Sequence, residues 1–96
     1  MAAYRINYSK VCSQAENILT LSYELNSEIQ KLESVLAEVK REWVGPASKE
    51  YQNQLYMLIA DMKNTKHKMS SVSSTIKNVA ARIQREDERA AEKEDK

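Results

Sequence analysis

The residues that could do chemistry in this 96-residue chain are few and lie far apart. The one histidine, His67, belongs to a short basic cluster with Lys63, Lys66 and Lys68. The one cysteine, Cys12, has no second cysteine or histidine at a metal-ligand spacing. Catalysis requires several titratable groups that converge in a pocket, and the sequence does not group such residues. We therefore expect no enzymatic activity, no cofactor and no metal site.

The basic cluster at 63–68 invites a nucleic-acid or lipid interpretation, which the composition does not favour. No aromatic residue is interleaved with these lysines, and the formal net charge of the chain is only +1. Binding to phosphates relies on a strong positive field and, for single strands, on stacking side chains. We predict a solvent-exposed face here and no nucleic-acid partner. For Cys12 we predict a small buried side chain, with an intermolecular disulfide or a reactive thiol as alternatives.

The first half of the chain has the period of an amphipathic helix. Asn7 suits an N-cap, with Ile6 and Val11 at the two positions of a hydrophobic staple. Apolar residues then recur at alternating spacings of four and three, as in a coiled-coil seam, with one polar member. The seam consists of Val11, Ala15, Ile18, Ser22, Leu25, Ile29, Leu32, Leu36, Val39 and Trp43. This pattern predicts a helix over about 8–42.

The second half repeats the pattern after a break. Gly45 can adopt the backbone angles of a reversal, and Pro46 suits the first position of a helix. The second seam consists of Tyr51, Leu55, Leu58, Met62, Thr65, Met69, Val72, Ile76, Val79 and Ile83. We predict a bend at 43–45, a second helix over about 46–84 and a charged tail over about 85–96 that has lost the apolar period.

These elements predict the fold class and the assembly. A bend this short forces two long helices to lie antiparallel, so residues 1–96 form one all-α domain, a helical hairpin. One hairpin covers only one flank of each seam, and the apolar residues beside it stay exposed to water. A four-helix bundle of two hairpins would bury them. The predicted dimer-interface residues are Leu19, Leu21, Val35, Tyr56 and Ile59.

The sequence also bears on localisation. Its first ten residues have no apolar core of signal-peptide length, and no later stretch approaches the ~20 apolar residues that span a bilayer. We expect synthesis in the cytoplasm without a cleavable signal peptide. Membrane insertion is not expected, because burial in the seams competes with lipid for the same apolar residues.

The motif Trp43-Val44-Gly45 lies at the bend between the two predicted helices. A chain of about a hundred residues with this arrangement resembles the WXG100 family of small type VII (ESAT-6-like) secretion proteins. The resemblance assigns the family motif to Trp43 and Gly45. It implies a homodimeric or heterodimeric four-helix bundle that is secreted by a membrane machine, whose FtsK/SpoIIIE-type ATPase reads a C-terminal signal.

The resemblance also directs attention to the end of the second helix. Family members commonly carry a Tyr-x-x-x-Asp/Glu signal there, or a looser form that begins with another hydrophobic residue. This chain has no tyrosine after Tyr56, and its nearest match runs from Ile83 to Asp87, followed by the apolar Ala90. The last hydrophobic position of the looser form falls on Glu94. The resemblance thus implies a degenerate signal at Ile83, Asp87 and Ala90, which a partner chain could complete.

Two functions follow from these observations, and both stay open at this point. The chain is either a type VII secretion substrate or co-secreted partner, or a cytosolic targeting factor or structural coiled-coil subunit that binds a larger helical toxin and is not itself exported. The Trp-x-Gly bend favours the first function. The departure of the tail from the family signal favours the second.

Overall fold

Two long helices joined by a short connection make up the protein. The computed structural model describes residues 6–94, so residues 1–5 and residues 95 and 96 of the predicted tail lie outside the described residues. Helix α1 runs from Tyr8 to Glu42 and helix α2 from Pro46 to Glu94. The helices lie antiparallel in a rod of 78 × 16 × 15 Å. The predicted all-α hairpin is confirmed.

Both ends of α1 are capped. The side chain of Asn7 accepts a hydrogen bond from the backbone N–H of Lys10 at 3.1 Å, which satisfies one of the unpaired donors of the first turn. At the other end, Trp43 leaves the helix in an extended conformation while its N–H still donates to the carbonyl of Val39 at 2.9 Å. The positive side chains of Lys40 and Arg41 complement the negative end of the helix dipole.

The connection is held by hydrogen bonds from the start of α2. The Ser48 hydroxyl donates to the carbonyl of Trp43 at 2.7 Å, and the N–H of Lys49 donates to the carbonyl of Gly45 at 3.3 Å. Gly45 has a φ of +131°, a value that side-chain-bearing residues rarely adopt. Pro46 is the first residue of α2, where its missing N–H leaves no hydrogen bond unmade.

We expect Gly45→Ala to destabilise the hairpin through its backbone alone. A Cβ atom at Gly45 would meet nothing within 4 Å, so the cost comes from the positive φ and is on the order of 1–3 kcal/mol. For a domain of this size the melting temperature should fall by roughly 5–15 °C, measured by circular dichroism. Val44→Ala is the control, because Val44 is 89% exposed and should change the melt very little. An unchanged melt for Gly45→Ala would contradict the strained reversal.

The core changes character along the rod. Near the bend it consists of large apolar side chains, with Ile29, Leu36, Leu55 and Ile59 buried and Leu25, Leu32 and Met62 packed against them. Towards the free end, where α1 begins, the buried positions hold the small residues Ala15, Ser22, Ser73 and Ala80. The Ser73 hydroxyl donates across the helices to the carbonyl of Ala15 at 2.7 Å. The half near the bend therefore buries more apolar volume than the other half.

The predicted seam of α1 is confirmed from Val11 to Val39, whereas its last predicted member, Trp43, is exposed. The predicted seam of α2 is wrong at alternate positions. Leu55 is buried and Met62, Met69, Ile76 and Ile83 are half-buried, as predicted. The other predicted members are exposed: Tyr51, Leu58, Thr65, Val72 and Val79. At each of these positions the following residue faces α1 instead. At two of them that residue is small, Ser73 or Ala80, and it fits closely against α1. The bulkier neighbours are rotated outward.

Helix α2 continues to Glu94, ten residues beyond its predicted end. The segment 85–94 has no apolar period, but it is composed of arginine, glutamate, alanine, lysine and one aspartate. Apart from the aspartate, these are strong helix formers, and no glycine or proline interrupts them. Local propensity thus extends the helix where burial gives no reason to.

Candidate functional site

The two long sides of the hairpin differ in chemistry. One side, the polar face, carries the side-chain contacts between the helices. They join Lys77 to Glu16, Lys66 to Asn26 at 2.9 Å, Lys63 to Glu33 at 3.7 Å and Lys40 to the ring of Tyr56, whose centroid lies 4.7 Å away. Such exposed contacts are each worth about 1 kcal/mol or less. Their number along one side fixes the register of the helices more than it stabilises them.

The opposite side, the apolar face, exposes a row of large hydrophobic side chains. Each of them stands one residue before a buried or half-buried position of its helix, and a step of about 100° per residue places them all on the flank away from the polar face. Their exposed fractions lie between 37% and 51%. The apolar face consists of Leu21 and Val35 of α1 and Tyr51, Leu58, Val72 and Val79 of α2.

The apolar face extends to the bend through Trp43. The indole of Trp43 lies against the ring of Tyr51, with 5.6 Å between centroids and 47° between the ring planes. This tilted geometry is favourable for an aromatic pair. Trp43 remains 44% exposed, so it lies beside the end of the core and keeps a large surface open to solvent.

The predicted interface residues do not form one surface. Leu21 and Val35 lie on the apolar face, whereas Leu19 is half-buried and Tyr56 is exposed, both on the polar face. The prediction that Ile59 lies at the dimer interface has to be corrected, because Ile59 is only 6% exposed and belongs to the core of the hairpin itself. The shift of the α2 seam by one residue explains it, since Ile59 occupies the buried position that the sequence pattern assigned to Leu58.

The three residues predicted to form a degenerate signal come together at the free end. Ile83, Asp87 and Ala90 line one shallow groove of about 460 Å³ with Glu86. Asp87 is half-buried, and its Oδ2 accepts a hydrogen bond from the backbone N–H of Ile6 at 3.0 Å. The sequence reasoning missed the contact with Ile6, and no pattern could reveal it because 81 positions separate the two residues.

The remaining chemical groups do not assemble a catalytic or metal site in the part of the chain that the structure describes. Lys63 and Lys66 of the basic cluster are engaged on the polar face. No three metal-ligating side chains converge within residues 6–94, and neither helix there contains a stretch long and apolar enough to cross a bilayer. Cys12 is half-buried beside Tyr8, and its thiol raises the pKa of the Tyr8 phenol.

Comparison with known proteins agrees with these features. The sequence matches the WXG100 family, described as proteins of 100 residues with WXG, over residues 3–88. Comparison with curated proteins and with solved structures gives no match. The matched range includes α1, the Trp43-Val44-Gly45 bend and α2 as far as residue 88. The chain belongs to the WXG100 family.

Proposed function

We propose that this chain is a substrate or co-secreted partner of a type VII secretion system, and that it acts by pairing with a second helical hairpin through its apolar face. Membership of the WXG100 family supports this function, since the family consists of small secretion-associated helical proteins that generally form dimers with helical partners. The apolar face is the observation that carries the proposal, because it is a surface that one hairpin leaves uncovered.

The exposed area of the hairpin supports pairing. A compact monomer of 11.0 kDa exposes about 5,600 Å², whereas this chain exposes 7,492 Å². Stable complexes bury about 800 Å² on each partner. A second copy laid along the rod could cover that much without any change in the helices. In the resulting four-helix bundle, Trp43 and the apolar face of each copy would be buried against the other copy.

The charges of the two helices are compatible with a second copy as the occupant. Residues 7–42 carry four basic and six acidic groups, and residues 47–83 carry six and two. When two copies pack with α1 of one against α2 of the other, these opposite net charges face each other, which favours the crossed arrangement weakly. A related hairpin with the same charge distribution would fit equally well. The mass of the complex recovered from cells distinguishes the homodimer from this heterodimer.

Two measurements on the unmodified protein test the proposal. Sedimentation at micromolar concentration should give the mass of two chains, and a mass of one chain would contradict pairing of identical copies. Export should be measured in cells with an intact type VII system and in cells without its FtsK/SpoIIIE-type ATPase. Accumulation outside the first cells alone is the expected result.

The alternative is a cytosolic factor that covers the helical segment of a larger toxin. The incomplete signal at Ile83, Asp87 and Ala90 favours it, since a chain that stays in the cell needs no signal of its own. Retention in both kinds of cell, together with recovery in complex with a longer helical chain, would favour this function over export.

A substitution at Trp43 can separate its contribution to folding stability from its contribution to recognition by a partner. Trp43→Phe should keep an aromatic ring against Tyr51 but remove the indole N–H donor and part of the exposed surface. We expect the free energy of unfolding to fall by about 1 kcal/mol or less, because Trp43 is nearly half-exposed. Export or partner capture should fall by roughly tenfold, equivalent to about 1.4 kcal/mol of lost binding. Equal small losses in the melt and in export would leave Trp43 with a packing role only.

A further inference from the structure

The segment that leads into α1 is tied to the last turns of α2 at the free end of the hairpin. The backbone N–H of Ile6 donates to Oδ2 of Asp87 at 3.0 Å. Both residues are half-buried, whereas Glu86 and Glu88 on either side of Asp87 are exposed. A hydrogen bond with a charged acceptor is stronger than one between neutral groups. Asp87 therefore has a partner from the opposite end of the chain, which the contacts among the described residues do not give to Glu86 or Glu88.

The same carboxylate belongs to the groove at the candidate signal. Asp87 lines this groove between Ile83 and Ala90, one helical turn from the first and almost one turn from the second. A receptor that takes the apolar side chain of Ile83 and directs a donor at Oδ2 of Asp87 must displace the Ile6 N–H, which donates to the same atom. The two interactions compete for one half-buried group.

We propose that Ile6 and Asp87 form a latch that closes the C-terminal signal until the Ile6 N–H is released from Asp87. The inference rests on the proposed export function. Only chains in which the latch is open can bind a receptor at the signal. The apparent affinity of the receptor is therefore reduced in proportion to the fraction of chains in which the latch is closed. By the same linkage, a bound receptor releases the Ile6 N–H from Asp87.

A matched pair of variants separates the latch from the side chain of Ile6. Ile6→Pro removes the N–H donor, and Ile6→Ala removes most of the same side chain but keeps the donor. Neither change touches Asn7, whose side chain caps α1. Both proteins should therefore keep the helical content and the melt of the unmodified chain to within a few degrees.

The first measurement asks whether the latch exists in solution. Hydrogen exchange of the Ile6 amide, followed by NMR in the full-length protein, should speed up roughly three- to tenfold in Asp87→Ala, as expected for the loss of one charge-assisted hydrogen bond at a partly exposed site. Equal exchange rates in the two proteins would overturn the inference, whatever the export results.

The second measurement asks whether the latch controls the signal. In cells with an intact type VII system, Ile6→Pro should be exported roughly three- to tenfold faster than Ile6→Ala when the receptor is limiting, because more chains present a free carboxylate. Asp87→Ala should lose export, since it removes the latch and the signal together. Equal export of the two Ile6 variants would overturn the masking role. Absence of export even for the unmodified chain would instead refute the proposed function, and hydrogen exchange alone would then decide whether the latch forms.

Discussion

Ile59→Glu is expected to unfold the hairpin, whereas Leu58→Glu, one residue earlier, is expected to leave the helices folded and to separate the proposed dimer. Ile59 is 6% exposed and packed in the core near the bend, while Leu58 is 46% exposed on the apolar face. Removing a buried isoleucine costs about 2–5 kcal/mol, and burying an unpaired carboxylate adds to that. This approaches the total stability of a small domain.

Leu58→Glu should affect the monomer by about 1 kcal/mol or less, because the side chain is already half in water. In the proposed dimer it would place a charge inside the interface, which typically costs several kcal/mol, so dissociation should rise by 100-fold or more. Circular dichroism reports the helices, and sedimentation of the same samples over a range of concentrations reports the mass.

Met57→Glu completes a consecutive series as the control. Met57 is 62% exposed and points away from both the core and the apolar face, so the variant should match the unmodified protein in helicity and mass. The three neighbouring positions should thus give three different outcomes. Equal destabilisation by Leu58→Glu and Ile59→Glu would contradict the position of the seam.

Asp87→Ala is expected to abolish export, with a reduction of at least tenfold, while the hairpin stays folded. Asp87 supplies the acidic group of the candidate signal in the groove with Ile83 and Ala90. Loss of its hydrogen bond with Ile6 should lower the free energy of unfolding by about 1 kcal/mol, since the bond is charge-assisted but only half-buried. A thermal melt and the exported fraction, measured on the same variant, check the two effects separately.

Truncation after Gln84 should give the same loss of export, because it removes Asp87 and Ala90 together. Glu88→Ala is the matched control, since Glu88 is exposed, neighbours Asp87 and does not line the groove. It should be exported normally. Normal export of the truncated chain would place the signal in a partner chain or at the Trp43 bend.

Much of the fold could be predicted from the sequence because each element has a local physical cause. Gly45 and Pro46 are the only strong breakers in the chain, and they lie at the reversal. The α1 seam was identifiable because no stripe beside it is apolar throughout: Glu28 interrupts the stripe on one side and Glu33 the stripe on the other. Periodicity therefore allowed one choice of buried face in α1.

In α2 the period allowed two choices. Leu58 and Ile59 are both apolar, as are Val79 and Ala80, so these positions do not distinguish two stripes one residue apart. Elsewhere the inward stripe holds the polar residues Gln52, Lys66 and Ser73, so the apolar period favoured the stripe that stays exposed. Which stripe is buried depends on how closely the side chains of α2 fit against α1, and that is a tertiary property. The sequence pattern also underestimated α2 beyond residue 84, because periodicity reports burial on one face and not helicity itself.

The candidate site was predictable only in part for a related reason. Trp43 and Gly45 follow from a contiguous motif, and Ile83 and Asp87 from a spacing along one helix. The apolar face combines residues of both helices after the α2 seam has been placed, so an error of one residue removed four of its members, Tyr51, Leu58, Val72 and Val79. The contact between Ile6 and Asp87 joins the two ends of the chain, where no local pattern operates.

The change from large core residues near the bend to small ones near the free end has a mechanical consequence. Opening the free end breaks the Ser73 to Ala15 hydrogen bond and exposes apolar side chains that are already half in water, whereas opening the bend end exposes the buried Ile29, Leu36, Leu55 and Ile59. Local opening therefore requires less free energy at the free end. A pulling force applied to the C-terminal end of α2 acts at this weaker end, so the helices would peel apart turn by turn, with the resistance rising towards Trp43.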